Sequence, residues 1–325
     1  GEPHMPNTIR DFVPADAGQT PRLTEVATFM RSRTLPMEQA GEADIAIVGV
    51  PFDLGTAYHL GGSRHGPTAI RKESRGLGFI DGYKSIAPAR VVDLGDVPVY
   101  PRNFDKSLDI ITECFRNLAE KGALPLVLGG DHTIPLPILR GLVRSGDVGM
   151  VHFDAHSDTS DETRGMKITH GTTFRRAVEE GLVDPKRVIQ IGLRGGPLYS
   201  EEDYAWAREA GMTIVTTDVF EERGRAWVIE EARRVVGNAP TYVSFDIDGL
   251  DAVYCPGTGA PEPGGFSMRD AMVMLRGLRG ANIIGADICE VCPPVDSSGI
   301  TALHAAHLGF ELLCLLAETA RNRAR

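Results

Sequence analysis

Three side chains with metal-ligand chemistry alternate along Val151-His152-Phe153-Asp154-Ala155-His156-Ser157-Asp158. If residues 149–153 form a buried strand, alternation points Asp154, His156 and Asp158 to one side, whereas on a helix positions i and i+2 diverge by about 200°. Two carboxylates with an imidazole are hard oxygen and nitrogen donors, a set that suits Mn²⁺, Zn²⁺ or Ni²⁺ rather than a thiolate-seeking metal. His152 has the same parity one step deeper and reads as support behind the ligands, or as core.

The same chemistry recurs twice. Ser244-Phe245-Asp246-Ile247-Asp248-Gly249-Leu250-Asp251 carries Asp246 and Asp248 two apart, and the glycines of Gly129-Gly130-Asp131-His132-Thr133 allow a tight turn that presents His132. Taken singly, each motif reads as structural, since an Asp after a strand often caps the next helix, as Asp131 would. Taken together, two histidines and four aspartates at the same end of three strands form a binuclear metal site, too many donors for one closed tetrahedral zinc. Two such ions share bridging carboxylates and sit roughly 3.5–4 Å apart. Four aspartates balance two divalent ions, leaving a bridging hydroxide and Glu290 as uncompensated anions, so the site favours a cationic electrophile. A guanidinium carbon is one. Resonance makes it a poor electrophile, and a metal-lowered water pKa supplies the nucleophile it needs. Glu290 is suited to accept two parallel N–H bonds from the guanidinium plane.

Strands must place these groups. Apolar, β-branched runs fall at 44–50, 90–94, 125–128, 149–153, 187–192, 213–216, 241–247 and 282–288. Most are apolar on both faces, as strands of a covered parallel sheet are. Helical stretches fit between them at 105–121, 172–180, 201–210 and 267–276, with a closing helix near 301–321. The pattern predicts an α/β, doubly wound, mostly parallel eight-stranded sheet, in which ligands sit beyond the carboxyl ends of the strands. No internal repeat or linker divides residues 43–325, read as a single domain. Residues 1–42 read as an N-terminal arm, with Gly1 to His4 a remnant of expression before Met5.

Composition excludes several classes. The chain has 325 residues, 42% hydrophobic and 24% charged, with a formal charge of −10. That charge disfavours nucleic acid and anionic membrane as partners, and no apolar run approaches the ~18 residues of a membrane helix. Five cysteines without a signal-like leader point to the reducing cytoplasm. The lone Cys289-x-x-Cys292 has no second pair to complete a zinc site and an insert unlike the usual redox one.

The motifs GGDHT at 129–133, FDAHSD at 153–158, His170-Gly171, SFDIDGLD at 244–251, PGTGAPEPGG at 256–265 and DICEV around Glu290 together resemble the ureohydrolase family: arginases, agmatinases and guanidino-acid amidinohydrolases. The resemblance covers nearly the whole chain after the arm. It implies an arginase-like three-layer α/β/α fold, a trimer or hexamer (a hetero-oligomer with a paralogue included), and a di-manganese centre that releases urea from a guanidino compound. Carried onto matching positions, one metal takes His132, Asp154, Asp158 and Asp246, and the other Asp154, His156, Asp246 and Asp248. On the same basis Glu290 holds the guanidinium, Asp158 passes a proton to the leaving amine, and His170 shuttles protons.

The short loop 160–169 and the PEPGG stretch look like agmatinases and guanidino-acid hydrolases rather than arginases. Arg164 and Lys167 suit a distal carboxylate, as in 4-guanidinobutanoate, whereas Asp161 and Glu162 suit the amine of agmatine; all four also fit a plain solvated loop. Three departures from the family pattern fall at the expected pocket mouth: bulky Tyr58 and His59 in a loop one residue longer than usual, Ala252 in place of a proline and Ala260 in place of a threonine. They leave open a small guanidine or biguanide as substrate, with Ni²⁺ in place of Mn²⁺. A non-catalytic metal-binding subunit is the reading from another class, and its signature, lost ligands, is not present. His304 and His307, three apart, read as packing or surface groups, and Arg194 before Gly195-Gly196 as a subunit contact.

Overall fold

The computed structural model describes residues 21–24, 26–57, 61–77, 89–194 and 201–324. Tyr58 and His59 lie outside them, as do residues 1–20 of the arm. Nine parallel strands, β1 (Arg33–Thr34), β2 (Ile45–Val50), β3 (Val91–Asp96), β4 (Leu124–Gly129), β5 (Gly149–Phe153), β6 (Val188–Leu193), β7 (Thr213–Thr216), β8 (Thr241–Asp246) and β9 (Ile283–Cys289), form one sheet in the order β1-β3-β2-β4-β9-β8-β5-β6-β7. Eight were expected. The ninth, β1, has two residues, too few to show a period, and extends the sheet edge from within the arm by pairing with β3.

Alternation along the central strands builds the three layers. Ile45 and Ile47 of β2 face one core with Leu126, Leu128, Val151 and Val243, while Ala46, Val48 and Val50 face the other with Val127, Met150 and Tyr242. Helices α2 (Phe104–Lys121), α3 (Pro135–Leu142) and α4 (Thr173–Glu179) cover this second face. The first is covered by α1 (Gly66–Ser74), α6 (Thr217–Val236), α7 (Met268–Gly277) and α8 (Ile300–Arg323), while α5 (Glu201–Ala210) sends Ala207 into the second core. A capping box between Ser267 and Asp270 starts α7, and Gly122 at φ 82° ends α2, the left-handed stop that glycine takes without a Cβ penalty. Helix α8 is long and apolar enough to cross a membrane, but 72% of its apolar stretch is buried in this protein, as in a core helix.

The arm is tied down at Phe29. Phe29 is fully buried and its N–H donates to Asp93 Oδ2 at 2.8 Å. Arg71 from α1 reaches the same carboxylate at 2.9 and 3.0 Å and Asp96 at 2.5 Å, so one buried guanidinium joins arm, helix and β3.

The strand order decides where chemistry is possible. Strands β4, β9, β8 and β5 are consecutive neighbours at the centre of the sheet, and their carboxyl ends carry GGDHT, Glu290, Asp246 and Asp154. Between β4 and β5 the chain leaves a gap that β8 and β9 later fill, the kind of reversal at which open α/β sheets bind ligands.

Candidate metal centre

The structure brings His132, Asp154, His156, Asp158, Asp246 and Asp248 together, all buried. His132 Nδ1 stands 2.8 Å from Asp158 Oδ2, 3.0 Å from Asp154 Oδ2 and 3.3 Å from Asp246 Oδ2. His156 Nδ1 stands 3.1 Å from Asp248 Oδ2 and 3.4 Å from Asp154 Oδ1. Asp154 thus turns one oxygen toward each histidine. Donors about 2.1 Å from a shared ion lie roughly 3.0–3.4 Å from one another at octahedral or tetrahedral angles, a range that holds four of these five distances, with the contact to Asp158 slightly shorter.

A second observation supports the fit. His132 Nδ1 is buried and makes no directed hydrogen bond although three carboxylate oxygens crowd it. A proton satisfies one direction, whereas a divalent ion satisfies several. Electrostatics point the same way. Burial, then Asp248 and Asp154, drive the Asp246 carboxyl well above the usual range, and burial lifts Asp248 to about 6 against the pull of His156. Burial alone would raise Asp154 too, but His152, His132 and His156 outweigh it and hold that carboxyl well below its ordinary value. Such crowding of acids is relieved by cations.

The local chain explains the placement. Gly130 lies so close to the end of β2 and the loop after it that a Cβ there would sit 2.5 Å from the Val50 carbonyl oxygen and 2.3 Å from that of Phe52, so only glycine lets the turn after β4 deliver His132. Asp131 does not cap α3. Its Oδ2 accepts from the Gly55 N–H at 2.8 Å and its Oδ1 from the Thr133 N–H at 2.9 Å, which fastens loop 53–57 to the turn. The Phe174 ring meets the edge of the His132 ring at 5.2 Å, and Thr173 Oγ1 donates to the His132 carbonyl at 2.8 Å.

His170 and Glu290 adjoin this cluster. Glu290 Oε1 accepts from the His132 N–H at 2.8 Å and from His170 Nδ1 at 3.0 Å, and Oε2 accepts from Ser63 Oγ at 3.3 Å. A carboxylate offers about four acceptor directions, so a two-bond grip on a guanidinium requires Ser63 or His170 to yield one. The Ala57 N–H donates to His170 Nε2 at 3.1 Å, which keeps the proton on Nδ1. Burial opposes charge on this ring, but Glu290 outweighs it and raises the pKa to about 9, so release of Ala57 is what would let His170 take up a second proton. Asp158 and Glu290, the two carboxylates singled out for catalysis, both hold left-handed backbone, at φ 53° and 66°. Non-glycine residues pay about 1–2 kcal/mol there, a strain that collects at functional sites.

His152, read from the sequence as support or core, stands beside the cluster together with residues whose part there was not read from the sequence. Glu262 of the PEPGG stretch places Oε1 3.6 Å from His156 Nε2, the outward side of that ring. His152 meets Asp154 Oδ2 through Nε2 at 2.7 Å, while Gln190 Nε2 donates to its Nδ1 at 3.0 Å. Asp53 accepts from the Gly62 N–H at 2.7 Å and pairs with Arg64 at 2.5 Å, shaping the segment that carries Ser63. The Arg194 guanidinium is spent within its own chain, donating to the carbonyls of Asp248 and Glu262 at 2.7 Å and of Leu250 at 3.0 Å.

The distal residues are placed less tightly. Arg164 and Gly165, both at positive φ, form the two-residue tip of a hairpin closed by reciprocal Thr163 and Met166 backbone bonds. Lys167 is exposed and pairs with Asp161 at 2.6 Å and Glu162 at 3.8 Å. Asp161 also pairs with Arg176 at 2.9 Å. His304 Nδ1 lies 2.6 Å from the Tyr254 carbonyl oxygen, a packing contact. Cys289 and Cys292 are both buried free thiols.

Known proteins resemble this chain in sequence and in architecture. A guanidinopropionase of Pseudomonas aeruginosa is 48% identical over 316 residues, covering 96% of this chain and 98% of its own. A guanidinobutyrase of the same organism is 43% identical over 317 residues, covering 95% and 98%. The solved proclavaminate amidino hydrolase of Streptomyces clavuligerus superposes with a TM-score of 0.86 at 36% identity, over 92% of this chain and all of that one. The model of the arginase family matches residues 43–314. On sequence and fold alike, the chain belongs to the arginase family.

Proposed function

We propose that the protein hydrolyses a guanidino acid to urea and an amine with two divalent ions, and that 3-guanidinopropanoate is its first candidate substrate. The observation that carries the reaction is the pair of three-donor groups sharing Asp154. The substrate class draws on the guanidinopropionase and guanidinobutyrase among the relatives. His132, Asp154, Asp158 and Asp246 would hold one ion and Asp154, His156, Asp246 and Asp248 the other. Bound there, such ions lower the pKa of water and supply hydroxide at neutral pH.

The chain's own groups do the rest. Glu290 exchanges one of its present donors for guanidinium N–H bonds and orients the carbon that water attacks. As the C–O bond forms and the C–N bond breaks, Asp158 receives the water proton and hands it to the departing nitrogen. His170 relays protons between Glu290's surroundings and the exit, and the Ala57 N–H must let go for it to do so. We further propose that residues 43–325 act as one domain and that the active form is a homo-oligomer, to be checked by native mass.

Urea release is the test, on protein loaded separately with Mn²⁺ and Ni²⁺. The substrates are 3-guanidinopropanoate, 4-guanidinobutanoate, agmatine, arginine, guanidine and a dimethylbiguanide. Fastest turnover of 3-guanidinopropanoate is expected. Preference for guanidine or the biguanide with Ni²⁺ would move the substrate assignment, and no urea from any of them with two metals bound would leave a non-catalytic subunit.

A further inference from the structure

A polar row runs across the sheet beneath the metal centre. Gln190 of β6 pairs in register with His152 of β5, His152 with Ser244 of β8, and Ser244 with Asp287 of β9. All four are fully buried. Asp287 is an isolated carboxylate inside an apolar strand, and a charge is not kept there without partners. Its Oδ2 accepts from Tyr242 OH at 2.7 Å and its Oδ1 from Ser244 Oγ at 2.8 Å and Cys289 Sγ at 3.4 Å.

Donor counting along this row gives a definite result. A carboxylate only accepts, and a serine hydroxyl has one hydrogen. Ser244 gives that hydrogen to Asp287, so at the 2.8 Å contact with His132 Nε2 its oxygen must accept. The His132 proton therefore sits on Nε2. The opposite nitrogen, Nδ1, is left facing Asp154, Asp158 and Asp246.

We propose that Ser244 and Asp287 are positioning residues that fix the tautomer of His132 and so hold its Nδ1 open for a divalent cation. The inference rests on the two-metal reading above and adds a direction to it. Reversing the relay would put a proton where the ion belongs.

The test is Mn²⁺ binding to metal-free protein, read as equilibrium titration and as ions per subunit after gel filtration. Wild type should hold two. In Asp287→Asn the amide oxygen keeps the Tyr242 bond and the NH₂ faces Ser244, which turns its hydroxyl toward His132 Nε2 and drives the proton to Nδ1. One ion should then bind about 100-fold more weakly, at the upper end of the effect of groups behind metal ligands. Ser244→Ala removes the lock without reversing it, and about 10-fold is expected. Tyr242→Phe takes a hydrogen bond from the same carboxylate but lies off the path to His132, so the binding should stay within about 2-fold. Metal-free melting temperatures report general loosening separately, and Ser244→Ala against Tyr242→Phe carries the comparison if Asp287→Asn does not fold.

That graded order is what a merely structural role would not produce. Wild-type affinity in both Asp287→Asn and Ser244→Ala overturns the relay alone, as does a Tyr242→Phe loss equal to theirs. Fewer than two ions on wild type overturns the two-metal reading and the relay with it.

Discussion

Arg194 offers a sharp test of how the centre is held. Beyond Asp248, Glu262 and Leu250, its guanidinium also donates to the carbonyls of Gly192 and Gly249 at 3.1 and 3.2 Å and of Pro263 at 3.1 Å. It thereby pins the loop bearing Asp248, a proposed ligand, to the loop bearing Glu262, which faces His156. A lysine presents its donors from one point and does not span both loops, so Arg194→Lys keeps charge and loses geometry. Hydrogen bonds to charged groups contribute about 1.5–3 kcal/mol each, and losing the two shortest gives roughly 3 kcal/mol after allowance for partial exposure. That corresponds to a fall in Tm of about 4 °C for a chain of this size. Function should suffer more selectively, with the ion nearest His156 weakened about 10-fold or more. Differential scanning fluorimetry and metal analysis read the two effects separately. An Arg194→Lys protein that melts within about 2 °C of wild type and keeps both ions would refute the reasoning, and a change confined to oligomer mass would return Arg194 to the subunit contact read from sequence.

Other outcomes follow from the same geometry. His170→Ala should keep both ions and lose about 100-fold or more in kcat, checked by metal analysis beside urea release; unchanged turnover would remove it from the mechanism. Chelation should lower Tm by on the order of 10 °C relative to protein with Mn²⁺ at 100 times Kd, because each site then contributes about 2.7 kcal/mol; an unchanged melt would mean that the cluster binds no ion in the folded state. Burial pushes the Asp53 carboxyl up, but Arg64 and the Gly62 and Arg64 N–H groups outweigh it and hold its pKa below the ordinary value. Its stabilisation is therefore full above the unfolded pKa near 3.8 and lost as pH falls through the lower folded value. In chelator, the melting gap between wild type and Asp53→Asn should be constant from neutral pH to about 5 and narrow as pH falls below about 4, and a gap that widens as pH falls would count against the ion pair.

Much of the site was legible because strand ends and alternation act locally. Asp154, His156 and Asp158, and likewise Asp246 and Asp248, declare their common direction within five residues, and the apolar runs before them mark β5 and β8 almost to the residue. Helix α6 escaped notice because Gly224, at φ 79°, interrupts its period. Supporting residues escaped for another reason: Asp53 meets Gly62 across a segment without period, and Glu262 meets His156 over a hundred positions away. One signal was available. Ser244 has the parity of Asp246, and Asp287 is a lone charge within an otherwise apolar strand, which together imply a buried polar layer one step below the ligands.

The left-handed backbone at Asp158 and Glu290 bears on how this chain would respond to selection for robustness. Glycine at either position would relieve about 1–2 kcal/mol of local strain, and would also remove one acid from a crowded group. A search for thermally hardened variants would therefore be drawn toward the two positions on which the proposed chemistry depends. Activity in this fold is maintained against a standing gradient of stability, and homologues that have drifted into purely structural service should show their first losses at these two residues.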